Sequence, residues 1–356
     1  MNNQAKRVFI ITRTVCFMME NDIYSNKESY KLLIIGNGFD RAHSLPTSYY
    51  DFKKYMSNFI RGQRGERESD ELIEINEVPK EGMPKIYTHK GVFEDLKSES
   101  EASYWLIDEV AKKKRDLMWR DFENYLGQMN IEKLLAKWEA DRFGVHFLRE
   151  TIDDIKGFFF DWINTIEINC AKQKIYLSIF NGEPVIVLSF NYTETLETVY
   201  GVSSEDICYI HGKRETNETL RKDKMMLPIG QDNTILEVGF GKKYIRNNKE
   251  VKKKVMLMTL YKDTEDIIRR HKDFFDRVGA SKIKEIYTLG FSFSNVDIPY
   301  INEICKEINK KEGTKDITWF ITPYGSSKLK KEREEVHMRM CLWKSGFRGK
   351  VKGFEG

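Results

Sequence analysis

Two polar residues of this chain follow directly on apolar runs and carry side chains suited to chemistry at neutral pH. Asn191 stands in Leu188-Ser189-Phe190-Asn191-Tyr192-Thr193, and His211 stands in Tyr209-Ile210-His211-Gly212. If each run is a buried strand, these residues lie at its carboxyl end, where open α/β sheets bind their ligands. An amide there can orient a hydroxyl or a water, and a neutral imidazole can accept a proton near pH 7. Plainer readings stand beside these. The segment around Asn191 also fits a helix N-terminal turn capped by Thr193, and His211 also fits a buried histidine with its bonds satisfied.

A third strand end, Ile35-Gly36-Asn37-Gly38-Phe39-Asp40, has two glycines that let the backbone turn sharply and approach a phosphate or ribose. Arg41 occupies the place of the third glycine in the usual dinucleotide fingerprint, so a plain strand-to-helix turn remains open. Asp40 is the informative residue, because a carboxylate beside a phosphate loop is unfavourable unless it binds ribose hydroxyls or caps backbone amides. A fourth strand end, Leu289-Gly290-Phe291-Ser292-Phe293-Ser294-Asn295-Val296-Asp297, offers Gly290 and Ser292 to a nucleotide, with Asp297 as a further contact or as a helix cap. Gly230, in Leu227-Pro228-Ile229-Gly230-Gln231-Asp232, is placed on the same rim, and His43 is a secondary candidate base. Four strand ends of one kind describe one crevice.

The elements that must position these residues can be read from hydrophobic periodicity. Apolar runs at Leu32 to Ile35, Val185 to Phe190, Ile207 to Ile210, Ile283 to Phe291 and Ile317 to Ile321 read as buried strands. Helical patterns lie between them, such as Phe52, Tyr55, Met56 and Phe59 after the start signal Ser48-x-x-Asp51. The alternation predicts an α/β, Rossmann-like, mostly parallel sheet flanked by helices. The spacing is uneven. Residues 91–180 show helical patterns at Tyr104 to Leu126, Ile131 to Trp138 and Phe147 to Ile168 and no convincing strand, so they are expected to form a large helical insertion. The expected organisation is an N-terminal extension (1–29), a first part of the core with a polar loop (30–90), the insertion (91–180) and the rest of the core (181–356).

At 356 residues the chain can bury a sizeable core without disulfides or metal. Its five cysteines, Cys16, Cys170, Cys208, Cys305 and Cys341, stand apart without a C-x-x-C pair, which suits reduced packing residues in a cytoplasmic protein. No metal site is expected. A net charge of +4 with 32% charged residues of both signs does not mark a nucleic-acid binder. The longest apolar stretches fall far short of the roughly 20 residues that span a bilayer, so no membrane association is expected. Arg7 to Ile11 and Val15 to Met19 faintly suggest a secretion signal, but Arg13 interrupts them, and an ill-ordered or non-native extension is the preferred reading, with Met19 left open as a start. The charged stretches Arg246 to Lys254 and Lys328 to Glu335 read as an exposed excursion and a solvated helix face.

Taken together, Gly36-Asn37-Gly38-Phe39-Asp40 with Leu45-Pro46-Thr47-Ser48-Tyr49, then Ser189 to Thr193 with Leu196-Glu197, then His211-Gly212, resemble the AbiH family of bacterial abortive-infection proteins that act against bacteriophage. The resemblance runs from about Lys31 to at least Asp297, and Trp119 with Glu123 looks like a further family feature. More distantly, the order of motifs is similar to the sirtuin-like domains of bacterial defence proteins, which bind NAD and in several systems hydrolyse it. That resemblance implies catalytic roles for Asn191 and His211. It also implies nucleotide contacts from Gly36, Asn37, Gly38, Phe39, Asp40, Thr47, Tyr192, Gly212, Gly230, Gly290, Ser292 and Asp297. Two departures stand out: the glycine loop is not the commoner Gly-Ala-Gly-Ala-Ser, and Thr193 occupies a position where many relatives have Asp.

The expected activity is NAD glycohydrolysis without a required cofactor, NAD being substrate or ligand. Expected partners are an NAD-like nucleotide, a phage-derived trigger or partner defence protein, and further copies of the chain. The alternative is a non-catalytic nucleotide-binding sensor that acts through a partner protein. A nuclease finds no support in any carboxylate cluster with metal-binding spacing.

Overall fold

A computed structural model describes residues 29–73, 103–104, 106–107, 143–214 and 263–354, apart from 312, 324 and 326. The N-terminal extension up to residue 28, most of the polar loop, nearly all of the first two insertion helices with Trp119 and Glu123, the segment carrying Gly230, the stretch 246–254 and Cys16 lie outside the described residues.

Six strands form one sheet in which every pair is parallel. They are β1 (Tyr30–Ile35), β2 (Val185–Ser189), β3 (Ile207–Tyr209), β4 (Ile283–Leu289), β5 (Thr318–Ile321) and β6 (Lys350–Gly353), in the order β3-β2-β1-β4-β5-β6. The helices of the described residues are α1 (Asn37–Ala42), α2 (Tyr49–Gln63), α3 (Phe143–Thr165), α4 (Leu177–Phe180), α5 (Thr264–Arg270), α6 (Lys272–Ala280), α7 (Ile298–Asn309) and α8 (Lys328–Lys344).

β1 lies at the centre, and all six of its residues are buried. Its period-2 alternation sends Leu32 and Ile34 into one core, with Phe275, Tyr300, Ile304 and Trp319, and Leu33 and Ile35 into another, with Phe39, Tyr176 and Tyr200. A strand covered on both faces has no polar side to display, which is why its sequence is a continuous apolar run. The chain builds outward from β1 in one direction through β2 and β3, and in the other through β4, β5 and β6. The order therefore reverses between β1 and β4.

Two expectations are adjusted. β2, β3 and β4 end one or two residues before their apolar runs do, at Ser189, Tyr209 and Leu289, because the last apolar residues turn into the cores as loop residues. β6, Lys-Val-Lys-Gly, has no apolar run and was not foreseen; it is an edge strand, where exposed lysines suit the position. α2 starts where its sequence signal places it. Ser48 N–H donates to Asp51 Oδ2 at 2.8 Å, and Asp51 N–H donates to Ser48 Oγ at 3.2 Å, so two amides at the helix start are satisfied. α2 buries Phe52, Met56 and Ile60, and Phe52 meets Phe159 and Trp162 of α3 at centroid separations of 5.7 and 5.2 Å. No helix among the described residues is long and apolar enough to cross a membrane.

Candidate functional site

The loop after β1 is shaped by its approach to the loop after β4. A Cβ on Gly36 would lie 2.6 Å from the Gly290 carbonyl oxygen, one on Gly38 would lie 2.7 Å from Gly290 Cα, and one on Gly290 would lie 2.1 Å from Phe39 N. Gly290 also has φ +65°, a left-handed conformation open to glycine. The Gly36 amide donates to Leu289 O at 3.0 Å, that of Gly38 to Gly290 O at 2.9 Å and that of Phe39 to Gly36 O at 2.9 Å. The backbone amides of Gly36, Gly38 and Phe39, on the loop expected to approach a phosphate or ribose, are thus already bonded inside the protein, and the two loops close on each other where the strand order reverses.

The side chains of this loop turn towards β2 instead. Asn37 Nδ2 donates to Thr47 O at 2.9 Å, and Thr47 Oγ1 donates to Asn37 Oδ1 at 2.6 Å, so the Leu-Pro-Thr-Ser-Tyr segment is pinned to the glycine loop just before it starts α2. Asp40, 1% exposed, accepts hydrogen bonds from the hydroxyls of Thr193 and of Thr195, the latter at 2.8 Å. Thr193 is therefore a ligand of Asp40 and not a helix cap, and Asp40 caps no backbone amide of its own helix. Burial pushes the Asp40 carboxyl up to about 6, against the opposing pull of the Thr193 and Thr195 hydroxyls, Asn191 and the Arg214 guanidinium.

Asp40, Asn37 and Thr47 line a cavity of ≈ 30 Å³ together with Phe190, Asn191 and Tyr192 after β2 and Phe159, Trp162 and Ile163 of α3. The volume suits about two waters. Asn191 is 5% exposed, and neither atom of its side-chain amide has a hydrogen-bond partner; it faces Asp40 closely enough to favour the carboxylate without a formed bond. A buried amide left without any bond costs about 1–3 kcal/mol, so this one calls for a partner inside the cavity, a water or a ligand.

Arg214 fastens the wall of the cavity. Its Nε and Nη2 donate to the two carboxylate oxygens of Glu194 at 2.8 and 2.6 Å, and Nη1 donates to the carbonyls of Ile163, at 3.1 Å, and Ile166 at the end of α3. Burial raises the Glu194 carboxyl, but the Arg214 bonds and charge outweigh it and hold it below the usual range.

His211 is 3% exposed and is not among the residues that line the cavity. Its ring packs edge-on against Phe190 at 5.3 Å and Tyr300 at 5.6 Å, and its Nε2 lies 3.7 Å from Asp297 Oδ1. Asp297 precedes α7 without capping it through its side chain. Gly212, at φ +82°, turns the chain away after His211. Phe190 links the two groups: it lines the cavity with Asn191, Asp40, Asn37, Thr47 and Tyr192, and its ring meets His211, which with Asp297 is not part of the lining. Gly290 serves the close packing described above, Ser292 is half-buried outside the cavity lining, and Gly230 lies outside the described residues. His43 Nδ1 donates to Phe39 O at 2.8 Å and its Nε2 meets Tyr200 Oη at 2.7 Å, and burial holds its imidazole below its ordinary pKa, so it is a satisfied buried histidine.

Sequence reasoning missed Phe159, Trp162 and Ile163, Thr195 and Arg214. The first three share a helical face at i, i+3, i+4, a signal that marks a buried stripe without naming what it covers. Among the described residues no three His, Cys, Asp or Glu side chains gather as metal ligands.

An open parallel α/β protein with a small cavity at the carboxyl ends of the neighbouring strands β1 and β2 is the class that fold and site define. A family model for bacteriophage abortive infection AbiH matches residues 32–322, a span that takes in β1 to β5 and every residue lining the cavity. The chain belongs to the AbiH family, and that membership suggests a role in phage abortive infection. No curated protein matches the chain.

Proposed function

We propose that the protein acts in abortive infection by binding NAD or a related nucleotide at the carboxyl end of its sheet and hydrolysing the nicotinamide–ribose bond. The observation that carries this reading is the buried Asn191 amide, without a hydrogen-bond partner, at the wall of a cavity shared with Asp40. The strand order supports it, since 3-2-1-4-5-6 is that of dinucleotide-binding Rossmann sheets. The similarity to sirtuin-like domains adds the bond to be cleaved.

In the reaction the bond from ribose C1′ to the nicotinamide nitrogen breaks, its electron pair returns to the ring, and water bonds to C1′. Asn191 is placed to orient the water or a ribose hydroxyl through its amide. His211 acts through its contact with Phe190, holding that ring and through it the strand end that carries Asn191. Phe159 and Trp162 keep bulk water out, and they must shift to admit a nucleotide, because about 30 Å³ does not hold a ribose. A host depleted of NAD stops supporting phage growth.

The test is to follow nicotinamide release from NAD by the purified protein, with and without phage lysate. Wild type should release it, and a variant carrying Asn191→Ala and His211→Ala should not. Identical behaviour of the two under every activating condition removes the enzymatic reading. The closed cavity favours a second reading, a nucleotide sensor that acts through a partner. It requires binding of NAD or ADP-ribose by calorimetry with no change in the nucleotide by mass spectrometry.

A further inference from the structure

We infer that Asp40, and not His211, is the proton acceptor of this cavity: its carboxylate takes the proton of the attacking water while Asn191 holds that water in place. The inference rests on the hydrolytic reading above and names the residue that performs its proton transfer.

Placement is the first argument. A general base must reach the proton it removes directly or through one water. Asp40 and Asn191 line the same cavity, whereas His211 is not among its lining residues and packs against the Phe190 ring. The second argument is how the carboxylate is held. Thr195 donates to Oδ1 and Thr193 to Oδ2, one hydroxyl per oxygen, which fixes the plane of the group and leaves each oxygen a further lone pair. The third is the missing counter-ion. Among the described residues no cation stands within salt-bridge distance of Asp40; Arg214 acts on it only from further off and is itself bidentate to Glu194. A buried carboxylate without a paired cation is costly, and a neutral amide would anchor the two threonines without that cost. Keeping an ionisable group here makes sense if its proton is used.

In the step, the water oxygen bonds to C1′ as the C1′–N bond breaks with its pair going to nicotinamide, and the water proton passes to an Asp40 oxygen. The acid then loses that proton to solvent when the product leaves. The charged and titratable groups that face Asp40 are few. They are Arg214 with its partner Glu194, Cys170, whose pKa is raised by burial and then by the Asp40 charge, Tyr209, whose pKa is raised by burial, then by Glu197 and least by Asp40, and His43, just after α1, with both ring nitrogens bonded. None of them supplies a second base within the lining of the cavity.

The test measures nicotinamide release from NAD against pH for wild type, Asp40→Asn and His211→Gln, with the melting temperature of each. Wild-type kcat should fall as pH drops below about 6. Asp40→Asn should lose about 10²–10⁴-fold in kcat with little change in KM and should have no such limb, while keeping its fold. His211→Gln should lower the rate and keep the limb. A limb that survives Asp40→Asn and vanishes in His211→Gln overturns the assignment while leaving NAD hydrolysis intact. If wild type cleaves no NAD, the hydrolytic reading fails instead. The same variants are then scored for plaque formation by a phage that wild type restricts: loss of protection by a folded Asp40→Asn keeps Asp40 in the working site and rejects only the substrate, and full protection rejects Asp40 as well.

Discussion

The loops after β1 and β2 leave the sheet side by side at the same end, yet they treat their polar groups in opposite ways. After β1, the amides of Gly36, Gly38 and Phe39 are all bonded within the protein, and the Asn37 and Thr47 side chains bond each other. After β2, the Asn191 side-chain amide is buried without a formed hydrogen bond, beside a carboxylate that burial makes hard to ionise. The glycine loop is a finished structural joint, and the Asn191 loop is an unfinished one. The difference teaches that the capacity to bind lies where polar groups remain unsatisfied, and that a glycine-rich turn at a strand end can owe its glycines to a neighbouring loop.

The sharpest way to break this contrast is to test the joint. Gly290→Ala would place a Cβ 2.1 Å from Phe39 N at a residue with φ +65° and should destabilise by about 4 kcal/mol or more in chemical denaturation. Gly62→Ala, where nothing lies within 4 Å of the added atom, is the control and should be neutral or stabilising. A mild Gly290→Ala would mean the loops are not tightly closed. Next in size is Arg214→Ala, which leaves a partly buried Glu194 without its cation and the carbonyls of Ile163 and Ile166 at the end of α3 without this donor. It should cost about 3–5 kcal/mol and expose the cavity wall, read as faster hydrogen exchange at the end of α3.

Smaller, and specific to the cavity, is the pH dependence from Asp40. Its folded pKa of about 6 lies above the reference 3.8, so the folded state binds the proton more tightly between these values. Stability from this group is fully present below pH 3.8 and is lost as pH rises through 6, by about 3 kcal/mol for a shift of roughly two units. The unfolding free energy of wild type should therefore fall by that order relative to Asp40→Asn between pH 4 and about 7.5. Parallel curves would show that the carboxylate is solvated and the cavity open.

Much of this was legible in the sequence, for identifiable reasons. β1, β2 and β4 are buried on both faces and so write themselves as apolar runs, and the Ser48 to Asp51 box announces α2. Asn191 could be singled out because a polar residue directly after such a run lies at a carboxyl end of the sheet. Asp40 was noticed but could not be understood, since its partners Thr193 and Thr195 stand more than 150 positions later. The reason for Gly36 and Gly38 lies in Gly290, and the roof over Asn191 comes from α3; neither approach leaves a local mark. β6 was missed because an edge strand needs no apolar run.

The central claim is that Asn191 is kept for function at the expense of the fold. Asn191→Leu removes the amide while keeping the branching and number of side-chain heavy atoms, and the measurement is its unfolding free energy set against its nicotinamide release from NAD. The account predicts a protein at least as stable as wild type, by up to about 2 kcal/mol, with release reduced at least about 100-fold. A variant that is clearly less stable and still as active as wild type would contradict it.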